Sequence, residues 1–278
     1  MAPERRKRKT EGVPVLKLPP RHLRGVLDAL RSNEFDRDGF RIGVMELFEA
    51  DKDEKSVFRG MAVPTLRSLG LMAGFDREMR LTANGSIVGL GLARQPMDRA
   101  PLAVVLQDIE SRRNLDRVWR GKPVREAEAV DMLIEQESAE GKRAGDVAGR
   151  VRRWLGYLEF AGLLERRELS GELVRRPRAP ARISKREFAG KLRDCYRTLS
   201  PRTVGEAIVP VEDVRRCVAQ AFYADGRILI SSGFDACLER LLIGAGEGVF
   251  LHRSMGADEA LFVSQGVGYS SLSIRGHR

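Results

Sequence analysis

Two stretches of this chain share one order of residues, and that order narrows the folds open to it. Thr65-Leu66-Arg67-Ser68-Leu69-Gly70-Leu71-Met72 is followed, after a polar gap, by Met79-Arg80-Leu81-Thr82-Ala83-Asn84-Gly85. Leu155-Gly156-Tyr157-Leu158-Glu159-Phe160-Ala161-Gly162-Leu163-Leu164 is likewise followed by a charged ribbon from Glu165 to Arg176. Each reads as an amphipathic helix stopped by a glycine, then a short apolar strand, a turn and a returning strand. Helices packed on small antiparallel ribbons make the fold class mainly α with small β.

The apolar periods divide the 278 residues into a tail and three blocks. Residues 1–20 read as a basic flexible tail, because Arg5-Arg6-Lys7-Arg8-Lys9 is a run of charge and Pro14, Pro19 and Pro20 interrupt regular structure. Such a tail is either an arm that lies along phosphates or a solvated end. In residues 21–97, Leu23, Val26, Leu27 and Leu30 share one helix face, and Phe40, Val44, Leu47 and Phe48 another. A third helix falls between Lys55 and Leu69, shortened by Pro64, which removes a backbone donor and so starts or kinks a helix. Met79–Leu81 and Ile87–Leu90 read as strands joined at the turn Asn84-Gly85.

Residues 98–182 hold three further helical patterns, around Leu102–Ile109, Val124–Glu137 and Arg143–Ala161, ahead of the basic ribbon. Residues 183–278 repeat the order of helices followed by strands. Phe188, Leu192, Cys195 and Leu199 mark one helix, Val214, Val218, Ala221 and Phe222 a second, and Phe234, Cys237, Leu238 and Leu241 a third. Val249-Phe250-Leu251, Leu261-Phe262-Val263 and Tyr269–Ile274 follow as strands.

Leu69-Gly70-Leu71 with Leu81-Thr82-Ala83-Asn84-Gly85, and Gly162-Leu163-Leu164 as a second corner, resemble the winged-helix superfamily. There a recognition helix ends in a Leu-Gly-Leu-type corner and a strand carries Leu-Thr-x-x-Gly. The resemblance implies three tandem winged-helix domains, each a helix-turn-helix with a β-hairpin wing, similar to recognition modules of modular restriction enzymes or to winged-helix accessory subunits. It implies a non-catalytic protein that binds double-stranded DNA as a regulator, or as the recognition subunit of a larger DNA-handling or genome-defence complex. Winged helices also serve as protein-binding scaffolds that never touch DNA.

Charge and periodicity point to the middle block as the one that meets DNA. On a helix over Arg143–Ala161, Val147, Val151, Trp154, Leu155, Leu158 and Ala161 share an apolar face. The other side carries Gly149, Arg152, Arg153 and Gly156, with Arg143, Arg150 and Tyr157 near it. Each exposed glycine costs a helix about 1 kcal/mol relative to alanine, so two of them beside arginines fit a face that another backbone approaches. Arg166, Arg167, Arg175 and Arg176 on the ribbon suit sugar-phosphate contacts, and Arg59 and Arg67 are candidates on the third helix of the first block. A solvated basic face explains the same residues without DNA. The third block offers Asp235, Glu239 and Arg240 on its last helix, a surface better matched to a protein partner or to self-association than to phosphate.

The net charge of +10 and pI near 9.9 agree with a polyanionic partner. No apolar run spans a bilayer, so no membrane is implied, and a cytoplasmic location is expected, nucleoid-associated when DNA is bound. Cys195, Cys217 and Cys237 match no zinc or disulfide framework, which fits a reducing cytosol. His22, His252 and His277 are too scattered for a metal site, so neither metal nor cofactor is expected. Asp131, Glu140 and Lys142 string together residue types of a Mg²⁺-dependent nuclease, but Asp131 lies in a helical pattern where such a site wants strands. Gly244-Ala245-Gly246-Glu247-Gly248 lacks the lysine and strand–helix setting of a phosphate loop.

Overall fold

The computed structural model describes residues 12–48, 53–119, 123–138, 144–167, 170–179, 181–200, 207–243, 248–253, 262–264 and 267–275. The fold is mainly helical with small antiparallel sheets. Contacts divide the chain into two compact units, each assembled from separate segments. One comprises residues 1–33, 37–69 and 102–178; the other comprises 34–36, 70–101 and 179–278. The three consecutive blocks expected from periodicity therefore do not coincide with the way the chain packs. The first block is parted at Leu69/Gly70, with its three helices in one unit and the residues that follow in the other.

In the first unit, helices α1 (Leu23–Ser32) and α2 (Arg37–Met45) bury Leu23, Val26, Leu27, Leu30, Phe40 and Val44, the residues their spacing selects. Next comes a π-helical stretch, Lys55–Ala62, that runs directly into α3 (Val63–Ser68). Pro64 falls in the first turn of α3, the short helix that its chemistry predicts, and the change from π to α winding comes immediately before it. The wider winding before it, with the Val63 N–H bonded back to the Phe58 carbonyl, accommodates a residue that cannot donate.

The rest of that unit runs α5 (Ala100–Arg113), β3 (Val124–Arg125), α6 (Glu126–Ser138), α7 (Ala144–Phe160), β4 (Leu164–Arg166) and β5 (Glu172–Arg175). The three strands form an antiparallel sheet in the order β3-β5-β4. Val147, Val151, Trp154, Leu155, Leu158 and Ala161 are all buried, so Trp154 is core. Gly162 ends α7 at φ 72°, and the Leu163 N–H reaches back to the Leu158 carbonyl, a glycine-closed helix end.

The second unit runs α8 (Lys185–Leu199), β6 (Val209–Pro210), α9 (Val211–Ala224), α10 (Ser231–Ile243), β7 (Val249–Arg253), β8 (Phe262–Ser264) and β9 (Val267–Ile274). Its main sheet order is β6-β9-β7, with β8 paired to β9. Each unit thus holds a succession of helix, strand, helix, helix and then closing strands, two in the first unit and three in the second, and in both the last strand pairs between the first strand and the one that follows the helices. Its core gathers Phe188, Leu192, Val214, Val218, Phe222, Phe234, Leu238, Leu241 and Leu272.

The same unit contains β1 (Met72–Ala73), β2 (Arg80–Leu81) and α4 (Ala83–Ala93). Asn84-Gly85 is here the first turn of a helix, where the dipeptide alone predicts a hairpin turn, and Ile87–Leu90 is helical. Thr82 makes the difference. Its hydroxyl accepts from the Gly85 N–H at 3.0 Å and donates to the Gly70 carbonyl at 2.7 Å, which caps the helix and ties it to the preceding corner. The Asn84 side chain accepts from the Ser231 N–H at 2.8 Å, and a Cβ on Gly85 would stand 2.0 Å from the Leu71 carbonyl oxygen. Glycine is needed for that close approach, and the real hairpin is β1–β2, paired Met72 to Leu81.

Two further expectations are corrected. Cys195 on α8 and Cys217 on α9 are joined in a disulfide, with Cα atoms 5.7 Å apart, and Cys237 is a buried free thiol. Of the tail expected over residues 1–20, residues 1–11 with the Arg5–Lys9 run lie outside the described residues, and residues 12–19 are not a tail: Val13, Leu16 and Leu18 are buried as a strap across the first unit.

Candidate nucleic-acid interface

The arginines expected to meet DNA all fall in the first unit, and α7 forms the centre of the candidate site. Its apolar stripe fixes the rotation of the helix and turns the opposite side outward. Gly149 is exposed and Gly156 half-buried, and a Cβ built on either meets no atom within 4 Å. Neither glycine is required by packing inside the unit. The helix backbone itself is accessible there over two turns, with Arg152 and Arg153 exposed beside it. Arg152 has no hydrogen-bond or ion-pair partner among the described residues. Arg150 is half-buried and engaged, and Arg143 lies outside the described residues.

One flank of this face is made by the strap. The Lys17 and Leu18 N–H groups both donate to the Thr65 hydroxyl on α3, at 3.0 and 3.1 Å. The Leu18 carbonyl accepts from the Tyr157 hydroxyl on α7 at 3.0 Å, and the Lys17 carbonyl accepts from the Arg153 guanidinium at 2.9 Å. Burial pushes the Tyr157 phenol pKa up, so the phenol remains a donor at any ordinary pH. Arg153 is thus tied to the strap by one hydrogen bond while its side chain remains exposed. Lys17, exposed within the strap, adds a cation that sequence reasoning missed because the prolines mark a tail. The alternation of buried Leu16 and Leu18 about exposed Lys17 was the available signal.

The ribbon makes the other flank, and its arginines are not free. Arg166 bonds Glu126 of α6 and Glu159 of α7, both at 2.8 Å, and hydrogen bonding to Glu126 raises its pKa further. Arg167 pairs with Glu172 at 3.3 Å, and Arg176 pairs with Glu165. These three arginines are exposed, and ion pairs of this kind contribute about 0–1 kcal/mol, so a phosphate competes readily for them.

Arg175 is different, and its expected role in phosphate contact is overturned. It points inward on the same strand face as buried Leu173, with only 11% of its side chain exposed, and it pairs with the buried carboxylate of Glu110 on α5. Burial raises the Glu110 pKa to about 7, against the opposing pull of Arg175 and of the Trp119 indole N–H at 3.1 Å. Arg59 is exposed on the π-helical stretch and Arg67 half-buried on α3, so neither belongs to the α7 face.

The second unit carries no comparable basic face on α10. Asp235, expected outward, pairs with the buried Arg215 at 2.7 Å, and the Arg240 guanidinium turns back to the Cys237 sulfur at 2.9 Å. Asp131 is exposed in mid-helix on α6, while Glu140 and Lys142 lie outside the described residues. Among the described residues no group of three His, Cys, Asp or Glu side chains is placed to hold a metal ion, and no helix is long and apolar enough to cross a membrane. No family model, curated protein or solved structure matches the chain.

Proposed function

We propose that this chain is a non-catalytic, winged-helix protein that binds duplex DNA through the outward face of α7. It would act as a regulator or as the recognition subunit of a larger DNA-handling or genome-defence complex. The observation that carries the reading is the open backbone at Gly149 and Gly156 beside Arg152 and Arg153. A groove-bound helix needs its backbone close to a phosphate strand and its guanidiniums free to reach phosphates or guanine edges. Support comes also from element order. Helix, strand, helix, helix, strand, strand with the last strand central is the order of a winged helix, and α7 stands where such folds carry the recognition helix.

The second unit has a similar order with one strand more, β8, and a neutralised α10, and we assign it to a protein partner or to self-association. A scaffold that binds only protein is the alternative, and the pairing of Arg166, Arg167 and Arg176 with carboxylates of the same chain favours it. A duplex gel-shift titration across salt decides between them. The expected result is low-micromolar or tighter retention at low salt, a steep fall with added salt, and a loss of about tenfold or more in Arg152→Ala/Arg153→Ala. Retention equal in the double variant and the parent overturns the α7 face, and no retention at any salt favours the scaffold.

A further inference from the structure

Arg186, Gly190, Arg193 and Arg197 follow one another along α8 at steps of four, three and four residues, which a 3.6-residue turn brings into line on one side. Phe188, Leu192, Cys195 and Tyr196 on the other side are buried in the core of the second unit. That burial fixes the rotation of the helix and turns the stripe outward. Arg186 and Arg197 are exposed, and Arg193 is half-buried and engaged. Arg182, ahead of the helix, and Lys185, its first residue, are exposed and extend the charge. Arg182 and Arg186 have no hydrogen-bond or ion-pair partner among the described residues. Arg197 meets Asp194 at 3.4 Å, with 60% and 74% of the two side chains exposed.

This stripe weakens its own helix in three ways. Gly190 stands in mid-helix although a Cβ there would meet no atom within 4 Å, so packing inside the unit does not call for glycine. Lys185 and Arg186 occupy the first turn, where the helix dipole favours acids, and the acid present there, Glu187, is bonded to Arg227. Arg193 and Arg197 are like charges one turn apart. A polyanion lying against the stripe offsets all three, because it neutralises the cations and uses the open backbone.

The exposed residues of α8 are Lys185, Arg186, Asp194, Arg197 and Thr198, none of them apolar. Its apolar face is committed to the core, so the helix has nothing to insert into a bilayer and no anchor for a protein interface. From Arg186 to Arg197 the stripe runs about 16 Å, and one strand of a duplex presents a phosphate about every 3.4 Å of its axis. We infer that the α8 stripe is a second DNA-contacting surface, which binds the phosphate backbone of a duplex without reading its bases. Because α8 belongs to the second unit, this surface does not depend on the α7 face, and the protein contact proposed for that unit remains with α10.

The test uses the full-length chain carrying Arg186→Gln/Arg193→Gln/Arg197→Gln, the chain carrying Asp194→Asn, and the triple change added to Arg152→Ala/Arg153→Ala. Each is titrated across salt against a random-sequence duplex of about 30 base pairs and, separately, against vesicles rich in phosphatidylglycerol. The triple variant is expected to lose about tenfold in duplex affinity at about 0.1 M salt, and the slope of log K against log salt should shrink by about two to three. Asp194→Asn releases Arg197 and leaves the stripe whole, so it should tighten binding by about twofold. Unchanged affinity and slope in the triple variant overturn the stripe. Should that variant melt well below the parent, Asp194→Asn decides, and unchanged affinity there overturns it instead. A loss that the triple change adds to Arg152→Ala/Arg153→Ala supports the stripe whether or not the α7 pair matters. Binding lost with Arg152 and Arg153 but untouched by the triple change leaves the α7 reading standing without it. Vesicle binding that falls in the triple variant while duplex affinity holds overturns the stripe in favour of a lipid surface.

Discussion

Glu110 on α5 holds Arg175 on β5 inside the first unit, so one of the four ribbon arginines fastens the sheet to a helix and does not face solvent. The pairing joins residues 65 positions apart, and the Trp119 indole completes it. Breaking a buried pair by removing one partner strands the other charge, at a cost of about 3–5 kcal/mol. Arg175→Ala is therefore expected to lower unfolding free energy by that amount, and Arg176→Ala, exposed and weakly paired, by under about 1 kcal/mol. Urea melts of the two variants check the contrast, and equal losses would show that the Glu110 link is not holding the sheet.

The same carboxylate sets a pH dependence with a definite sign. Its pKa is raised on folding, from 4.5 to about 7, chiefly by burial. Between those values the folded chain holds more protons than the unfolded one, so the contribution is complete below pH 4.5 and is lost as pH rises through 7. Glu110→Gln is expected to flatten the stability profile across that window. Chemical denaturation from pH 4 to 8 measures it, and parallel profiles for parent and variant would refute the assignment.

Gly149 separates binding from stability. With open space where a Cβ would stand, Gly149→Ala should stabilise α7 by up to about 1 kcal/mol. If a DNA strand comes close to that backbone, the same substitution weakens duplex affinity. A variant that melts higher and binds duplex as well as the parent would mean that nothing approaches α7 there.

Gly85→Ala is the opposite case, because the new methyl would sit 2.0 Å from the Leu71 carbonyl oxygen. The first turn of α4 must then move away from the corner that Thr82 ties to Gly70. A loss of about 2 kcal/mol or more is expected in thermal or urea unfolding, and a neutral result would mean that this contact relaxes without cost.

Reduction should loosen the second unit. The Cys195–Cys217 link closes a loop of 22 residues between α8 and α9, and a loop of that size contributes about 3 kcal/mol in the chain-entropy account. Unfolding with and without a thiol reductant, compared with Cys217→Ser, provides the check. No shift on reduction would show that the two sulfurs contribute only as packed thiols.

The amphipathic period of α7 was readable without coordinates. Every residue of its apolar stripe is buried, and the glycine–arginine side is outward, because a 3.6-residue repeat is a local property that the backbone carries into the fold. The helices at Leu23, Phe188 and Val214 were legible for the same reason, as were the glycine corners at Gly70 and Gly162. Arg175 was half legible, since strand alternation sets it with Leu173, but nothing local names Glu110 as its partner.

What needed tertiary structure shares one physical cause: distant segments compete for the same backbone group or the same core. Asn84-Gly85 is a good hairpin turn in isolation, yet Thr82, Gly70, Leu71 and Ser231 together make it a helix start. Val13, Leu16 and Leu18 become a strap only because Thr65 and Tyr157 await their backbone, and Cys195 finds Cys217 only because α8 and α9 pack. Short-range order followed from residue spacing along the chain, whereas partnership between remote residues was decided by which surfaces the finished cores left facing one another.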